Sequence, residues 1–329
     1  MSILVCGGAG YIGSHTAYEL YKKGEDVVVV DNLITGHKKA VLEGKLYVGD
    51  LRDSEFMDKV FEENDIEAVI DFAAFSLVGE SVGKPLDYYE NNVYGTMCLL
   101  KKLAKYGVKK IVFSSTAATY GEPERIPIKE EDSTVPTNPY GETKLAVEKM
   151  LKWCDNAYGI KYVVLRYFNV AGADESGVIG EDHNPETHLI PLILQVPLGK
   201  RDCINVFGND YETKDGTCIR DYIHVTDLAD AHILALNKLR RDNSSAIYNL
   251  GNGEGFTVNE VIDAARRVTG HPIPAKVVAR RPGDPAKLVA SSEKIINELG
   301  WNPQHDTLEE IIDSAWKWHK SHPNGFGDK

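Results

Sequence analysis

Tyr140 and Lys144 stand at i and i+4, downstream of a Ser114-Ser115-Thr116 run. On a helix those positions share a face, so an ammonium can sit beside a phenol. A nearby positive charge favours phenolate and draws a tyrosine pKa down from about 10 toward working pH. Such a group accepts the proton of an alcohol that is losing hydride. The spacing by itself is common, since Tyr18/Lys22 and Tyr106/Lys110 repeat it. Context separates the three. Tyr18 lies inside the first helical pattern with no polar run before it, and Tyr106 is followed by Gly107, which ends a helix. Tyr140 follows Asn138-Pro139, an N-cap and first-turn pair. Upstream, Ile111-Val112-Phe113 reads as a strand that delivers the hydroxyls of Ser114, Ser115 and Thr116 at its carboxyl end. Ligands bind at that end in open α/β sheets.

A second constellation opens the chain. Cys6-Gly7-Gly8-Ala9-Gly10-Tyr11-Ile12-Gly13 joins an apolar strand to a helical pattern and satisfies G-x-G-x-x-G. Glycines allow the tight turn and the close approach of backbone to a pyrophosphate, which the helix N-terminus stabilises. The second strand, Val27–Val30, ends in Asp31, the expected place for a carboxylate on the adenosine ribose. An acid there disfavours a 2′-phosphate and so favours NAD over NADP, a preference tempered by His37, Lys38 and Lys39 close by. Asp50 reads equally as a partner for the adenine amino group or as a helix cap before Leu51-Arg52-Asp53. Phe72-Ala73-Ala74 ends the fourth strand, where small residues let a dinucleotide lie across the strand tips.

These residues need a scaffold, and the first half supplies one. Strand patterns at 3–6, 27–30, 46–48, 68–72, 110–115 and 162–166 alternate with helical patterns near 12–23, 53–63, 86–106 and from 139. That order predicts βαβ units, a parallel sheet and right-handed crossovers. Continuous runs such as Val27–Val30 fit strands buried on both faces. The fold class expected is α/β: a doubly wound parallel (Rossmann) sheet with a smaller, mixed C-terminal substrate domain. From about Asn169 the texture turns loop-rich, with clear helical patterns at 258–269 and 308–320. We therefore expect domains at 1–168 and 169–329, with a return segment near 221–240.

The bulk properties fit a soluble globular chain. It has 329 residues, 43% apolar and 26% charged, and no run near the length of a membrane span. The start, Met1-Ser2-Ile3-Leu4-Val5, enters a strand pattern without a basic segment or cleavage site, so no signal peptide is expected. Five scattered cysteines without a C-x-x-C pair argue against disulfides and structural zinc. A cytoplasmic location is the expectation. Net charge −12 argues against a broad nucleic-acid footprint.

Taken together the chain resembles the extended short-chain dehydrogenase/reductases, and within them the UDP-glucose (UDP-galactose) 4-epimerases. The resemblance covers nearly the whole chain. It is carried by Gly7–Gly13, Asp31-Asn32-Leu33, Tyr89–Asn92, Ser114–Gly121, Asn138–Lys144 and Arg166–Asn169. Later segments discriminate within the superfamily: Phe207–Tyr211, Asp215–Thr217, Arg220–Val225 and Arg281–Asp284. The resemblance implies that Tyr11 and Ile12 meet the pyrophosphate through backbone. Asp31 and Asn32 hold the adenosine ribose, Asp50 and Leu51 border the adenine, and Asn91 lies along the nucleotide path. Thr116 bonds the sugar hydroxyl, Tyr140 is the base, Lys144 also holds the nicotinamide ribose, and Phe168 packs near the nicotinamide. Asn169, Arg220, Arg281 and Asp284 bind the UDP part, with Phe207 near the uracil. A homodimer through helices near 90–106 and 140–157 is also implied. Two departures stand out: Thr116 where many members carry serine, and Ser76 where some carry lysine. Leu288 resembles a position that sets the size of the sugar pocket.

The implied reaction interconverts UDP-galactose and UDP-glucose through a 4-keto sugar on tightly bound NAD. A 4,6-dehydratase would need an acidic pair directly after the strand-end threonine; Ala117-Ala118 stands there. A plain NAD-dependent reductase and a non-catalytic dinucleotide sensor are the other rivals. The sensor has no need of Tyr140, Lys144 and Thr116 together. No metal is expected: His183 and His188, near Glu181, Asp182 and Glu186, fit no helical H-x-x-x-H site. His188 reads instead as a residue bordering the nucleotide.

Overall fold

The computed structural model describes residues 1–281 and 285–327. Strands of the first half are β1 (Ser2–Cys6), β2 (Asp26–Asp31), β3 (Lys45–Val48), β4 (Ile66–Asp71), β5 (Lys110–Ser114) and β6 (Lys161–Tyr167). Those of the second half are β7 (Asn169–Ala171), β8 (Ile204–Phe207), β9 (Ile219–Arg220), β10 (Tyr222–His224), β11 (Ala246–Leu250), β12 (Phe256–Thr257), β13 (Ala275–Val278) and β14 (Lys287–Leu288). One seven-stranded sheet runs β3-β2-β1-β4-β5-β6-β11, with every pair parallel.

Helices cover both faces of this sheet, which explains the continuous apolar runs of its central strands β1 and β2. Side chains alternate along each strand. Ile3 and Val5 of β1 therefore join Val27, Val29, Ala68 and Ile70 on one face. That face packs on Ala17 and Leu20 of the helix Tyr11–Lys22 and on Leu228, Ala231 and Leu236 of the helix Val225–Asp242. Leu4 and Cys6 point the other way, with Val28, Val30 and Val69. They meet Met57 and Val60 of Ser54–Glu63, Leu99 and Leu103 of Gly95–Tyr106, and Val147 and Leu151 of Pro139–Tyr158.

The chain builds outward from β1 to β3, then returns to β4 on β1's other side. The strand order reverses there, and the crevice between the tips of β1 and β4 is where a ligand can enter. Phe72 N–H donates to the Cys6 carbonyl at 2.9 Å, holding the two tips together.

Two expectations are corrected. The helix expected over 86–106 is interrupted: Pro85–Tyr88 is α-helical, Tyr89–Tyr94 is a π-helical turn, and the α-helix proper is Gly95–Tyr106. The cause is Asn92, buried at 1% exposure. Its amide accepts from Phe75 N–H and donates to the Phe75 carbonyl and Thr143 Oγ1, at 2.8, 3.0 and 3.1 Å. A π turn of this kind often marks a functional position. Second, β11 joins the main sheet beside β6, although its segment was not read as a strand.

The second half forms smaller sheets: β10-β7, the mixed β12-β9-β14, and β13-β8. Their core gathers Ile190, Ile193, Val261, Ile262, Ile311 and Ile312 from the helices Leu189–Leu194, Val258–Thr269 and Leu308–Ser321. Among the described residues no helix is long and apolar enough to cross a membrane.

Candidate active site

A cavity of about 1250 Å³ runs from the tips of β1 and β4 to the small sheets of the second half. Its glycine-turn end is lined by Gly7, Gly10, Tyr11, Ile12 and Gly13. Gly7 has φ +72°, and a Cβ there would lie 2.8 Å from Ala73 N. A Cβ on Gly13 would meet the Gly7 carbonyl at 2.2 Å. Both positions therefore require glycine, and the helix N-terminus they open is free of side-chain caps.

Asp31 is 8% exposed and lines the cavity. Its carboxylate accepts from Ala9 N–H (3.0 Å) and Leu33 N–H (2.8 Å), which fixes it beside the turn. Asn32 donates to Asp50 at 3.1 Å. Asp53, not Asp50, caps the following helix, accepting from Phe56 N–H at 3.0 Å. Asp50 instead binds Arg52 through backbone and guanidinium, at 2.7–2.9 Å. Those bonds hold its carboxyl well below the usual range. Leu51, Phe72, Ala73, Ala74 and Asn91 also line this end. His37 turns its Nε2 to the Asp182 carbonyl at 3.1 Å and Lys39 reaches the Phe326 carbonyl at 2.9 Å. Both bonds draw the basic residues toward the C-terminal part of the chain.

Thr116, Tyr140, Lys144 and Phe168 line the cavity together. Asn138 caps the helix Pro139–Tyr158 by accepting from Gly141 N–H at 2.9 Å. That places Tyr140 in the first turn and Lys144 one turn on. Burial pushes the Tyr140 hydroxyl up to about 12, opposed by a hydrogen bond with Thr116. This corrects the expectation that Lys144 lowers it. The Lys144 ammonium donates to the Ser114 carbonyl at 2.7 Å and lies 4.8 Å from the centre of the Phe113 ring. Burial brings Lys144 down to about 8, with Asp71 and Glu148 opposing.

Glu148, which lies beneath, was not singled out from the sequence. Glu148, one turn after Lys144, accepts from Ser115 Oγ (2.5 Å) and from Arg166 Nε and Nη2 (3.0 and 2.5 Å). Arg166 also donates to Tyr120 Oη at 2.8 Å. The recurrence of Tyr140, Lys144 and Glu148 every fourth residue was the available signal.

The far end is lined by Asn169, His188, Phe207, Arg220, Arg281 and Leu288. Arg281 stacks on the Phe207 ring at 3.9 Å, and Leu288 pairs with Arg220 across β14 and β9. Asn169 Nδ2 is tied to the Asp221 carbonyl at 3.0 Å. Asp284, expected here, lies outside the described residues.

A glycine turn at a strand tip, a buried tyrosine and lysine one helical turn apart, and a second polar pocket in one cleft are the features of nucleotide-sugar oxidoreductases and epimerases. Residues 3–251 match the "NAD dependent epimerase/dehydratase family", and the chain belongs to that family. It is 61% identical to the UDP-glucose 4-epimerase of Halalkalibacterium halodurans, over 99% of this chain and 98% of that one. Against the UDP-glucose 4-epimerase of Lacticaseibacillus casei it is 58% identical, over 100% of both. Among solved structures, it resembles UDP-glucose 4-epimerase from Brucella ovis in complex with NAD (TM-score 0.94, 47% identity, 96% and 97% coverage). It also resembles the Bifidobacterium longum enzyme in complex with NAD⁺ and UDP (TM-score 0.93, 44% identity, 99% and 100% coverage).

Proposed function

We propose that this chain inverts the C4 carbon of UDP-glucose and UDP-galactose, with Tyr140 as the proton-transferring group and Thr116 as its relay. The activity is that of an NAD-dependent UDP-glucose 4-epimerase. The observation that carries the residue assignment is the convergence of Thr116, Tyr140 and Lys144 on one cleft that continues from the glycine turn to Arg220 and Arg281. Gly7–Gly13, Asp31 and Lys144 would hold the dinucleotide. NAD held there would supply the hydride acceptor and donor that inversion at C4 needs.

The chain's own part is proton handling and grip. Tyr140 takes the proton of the 4-hydroxyl as hydride leaves, and returns it after the flat 4-keto sugar has turned over. Turning needs a loose hexose and a firm nucleotide. Arg220 and Arg281 supply forked donors suited to a diphosphate, and Phe207 a face for the base. Ala117 and Ala118 cannot transfer protons to C5 or C6, which disfavours dehydration. Tyr140→Phe removes the proton acceptor while keeping the ring. It should fold, retain NAD and lose about 10²–10⁴-fold in turnover of UDP-galactose. Turnover near wild type would remove Tyr140 from the role.

We further propose a homodimer and a cytoplasmic location. Trp153 on the helix Pro139–Tyr158 is 71% exposed, and Leu86, Tyr89 and Tyr94 beside the neighbouring helix are also exposed. We take these exposed apolar side chains as the surface through which two copies pair. All five cysteines are free, as expected of a reducing compartment.

A further inference from the structure

The segment that leads into the helix Leu189–Leu194 carries Glu181, His183, Glu186 and His188, and their ligand-type atoms lie within 4.8 Å of one another. His188 Nδ1 is 2.8 Å from Glu181 Oε1 and 3.1 Å from Glu186 Oε1. His183 Nδ1 is 3.1 Å from Glu181 Oε1 and 3.6 Å from Glu186 Oε2. Tetrahedral donors at the zinc bond lengths of about 2.0–2.2 Å stand about 3.3 Å apart, and the four His–Glu distances bracket that value at 2.8–3.6 Å.

Hydrogen bonding accounts for only part of the arrangement, the His188 Nδ1–Glu186 Oε1 bond at 3.1 Å. Glu181 is 3% exposed, and its Oε1, like His183 Nδ1, is buried without a hydrogen-bond partner although the two are 3.1 Å apart. Two buried ligand-type atoms this close, neither bonded to the other, leave both free to turn toward one cation between them. Two carboxylates in a largely buried place call for compensating positive charge. One divalent cation at the point the four donors share supplies it.

We propose that Glu181, His183, Glu186 and His188 bind one divalent transition-metal ion of zinc-like preference, through two imidazole nitrogens and two carboxylates. Its shell is closed by the four donors, so its role is structural. Glu186 Oε1 also accepts from Thr187 N–H (2.6 Å) and His188 N–H (2.7 Å), bonds that orient the carboxylate as outer partners do in metal sites. The site clamps this segment to the glycine turn. The His183 ring stands edge-on to Tyr11 at 6.2 Å, and Trp318 Nε1 donates to the Glu181 carbonyl at 3.2 Å. Sequence spacing pointed away from a metal, because the donors follow neither a helical H-x-x-x-H nor a cysteine pattern. The loop conformation brings them together.

The test uses full-length protein purified without a metal-affinity step. Elemental analysis should give about one zinc per chain, or one after incubation with zinc chloride and removal of excess. Cobalt(II) put in its place should give the strong visible absorption of a tetrahedral site. The melting temperature should fall on chelation and recover with zinc alone. His183→Gln should lose metal and the cobalt spectrum while keeping native circular dichroism; if it fails to fold, Glu186→Gln serves the same purpose. Binding of less than about a tenth of an equivalent, with a melting temperature indifferent to chelator and zinc, would leave a plain ion-pair network and overturn the proposal. Full metal content in both variants would overturn it as well.

Discussion

Burial raises the Tyr140 hydroxyl to about 12, and Thr116 opposes it. A base at that value is almost wholly protonated at neutral pH. If the nicotinamide binds beside Phe168 and Lys144 as proposed, the positive charge of its oxidised form would be of the right sign to bring it down. Base strength would then depend on the cofactor's redox state. The prediction is a wild-type minus Tyr140→Phe ultraviolet titration in which the phenolate appears well below pH 12 with oxidised cofactor. With reduced cofactor it should appear near pH 12. Identical titrations in the two states would contradict the idea. Tyr140 and Thr116 were legible from residue type and context. The target of Lys144 was not, because the Ser114 carbonyl is a main-chain group and leaves no mark on side-chain spacing.

At the scale of elements, the helix that carries Tyr140 is locked to the sheet by one buried ion pair. Glu148 and Arg166 are 5% and 4% exposed. Through Ser115, Tyr120 and Asn249 their network joins that helix to β5, β6 and β11. Removing one partner strands a buried charge. Glu148→Ala should therefore lose about 3–5 kcal/mol in urea denaturation. The double replacement Glu148→Leu with Arg166→Met should recover most of the loss. A single-variant loss below about 1 kcal/mol would show the pair to be incidental. Helix starts marked by a cap were readable, as at Asn138 and Thr257. The π turn at 89–94 was not, since it answers to Asn92's bonds with Phe75 and Thr143, both distant in sequence.

For the whole molecule, the parallel sheet was readable because each strand is a continuous apolar run between helical patterns. β11 escaped because Asn249 interrupts its run. That amide is fully buried and satisfied by Tyr120 and the Ile128 carbonyl, partners that no local pattern reveals. Cofactor-side residues, set by short β-α turns, were more legible than the far end, where β9 and β14 are two residues each. The exposed face around Trp153 carries the prediction at this scale. Trp153→Glu should convert a dimer to a monomer in sedimentation equilibrium, without loss of bound NAD. A wild-type monomer, or an unchanged dimer in the variant, would count against that interface.

The central claim is that hydride leaves C4 and returns to the same carbon within one binding event. UDP-galactose deuterated at C4, mixed with the protein and no added cofactor, tests it most directly by proton NMR. The account predicts UDP-glucose that keeps its deuterium at C4. Turnover that requires added NAD, or product carrying protium at C4, would contradict it.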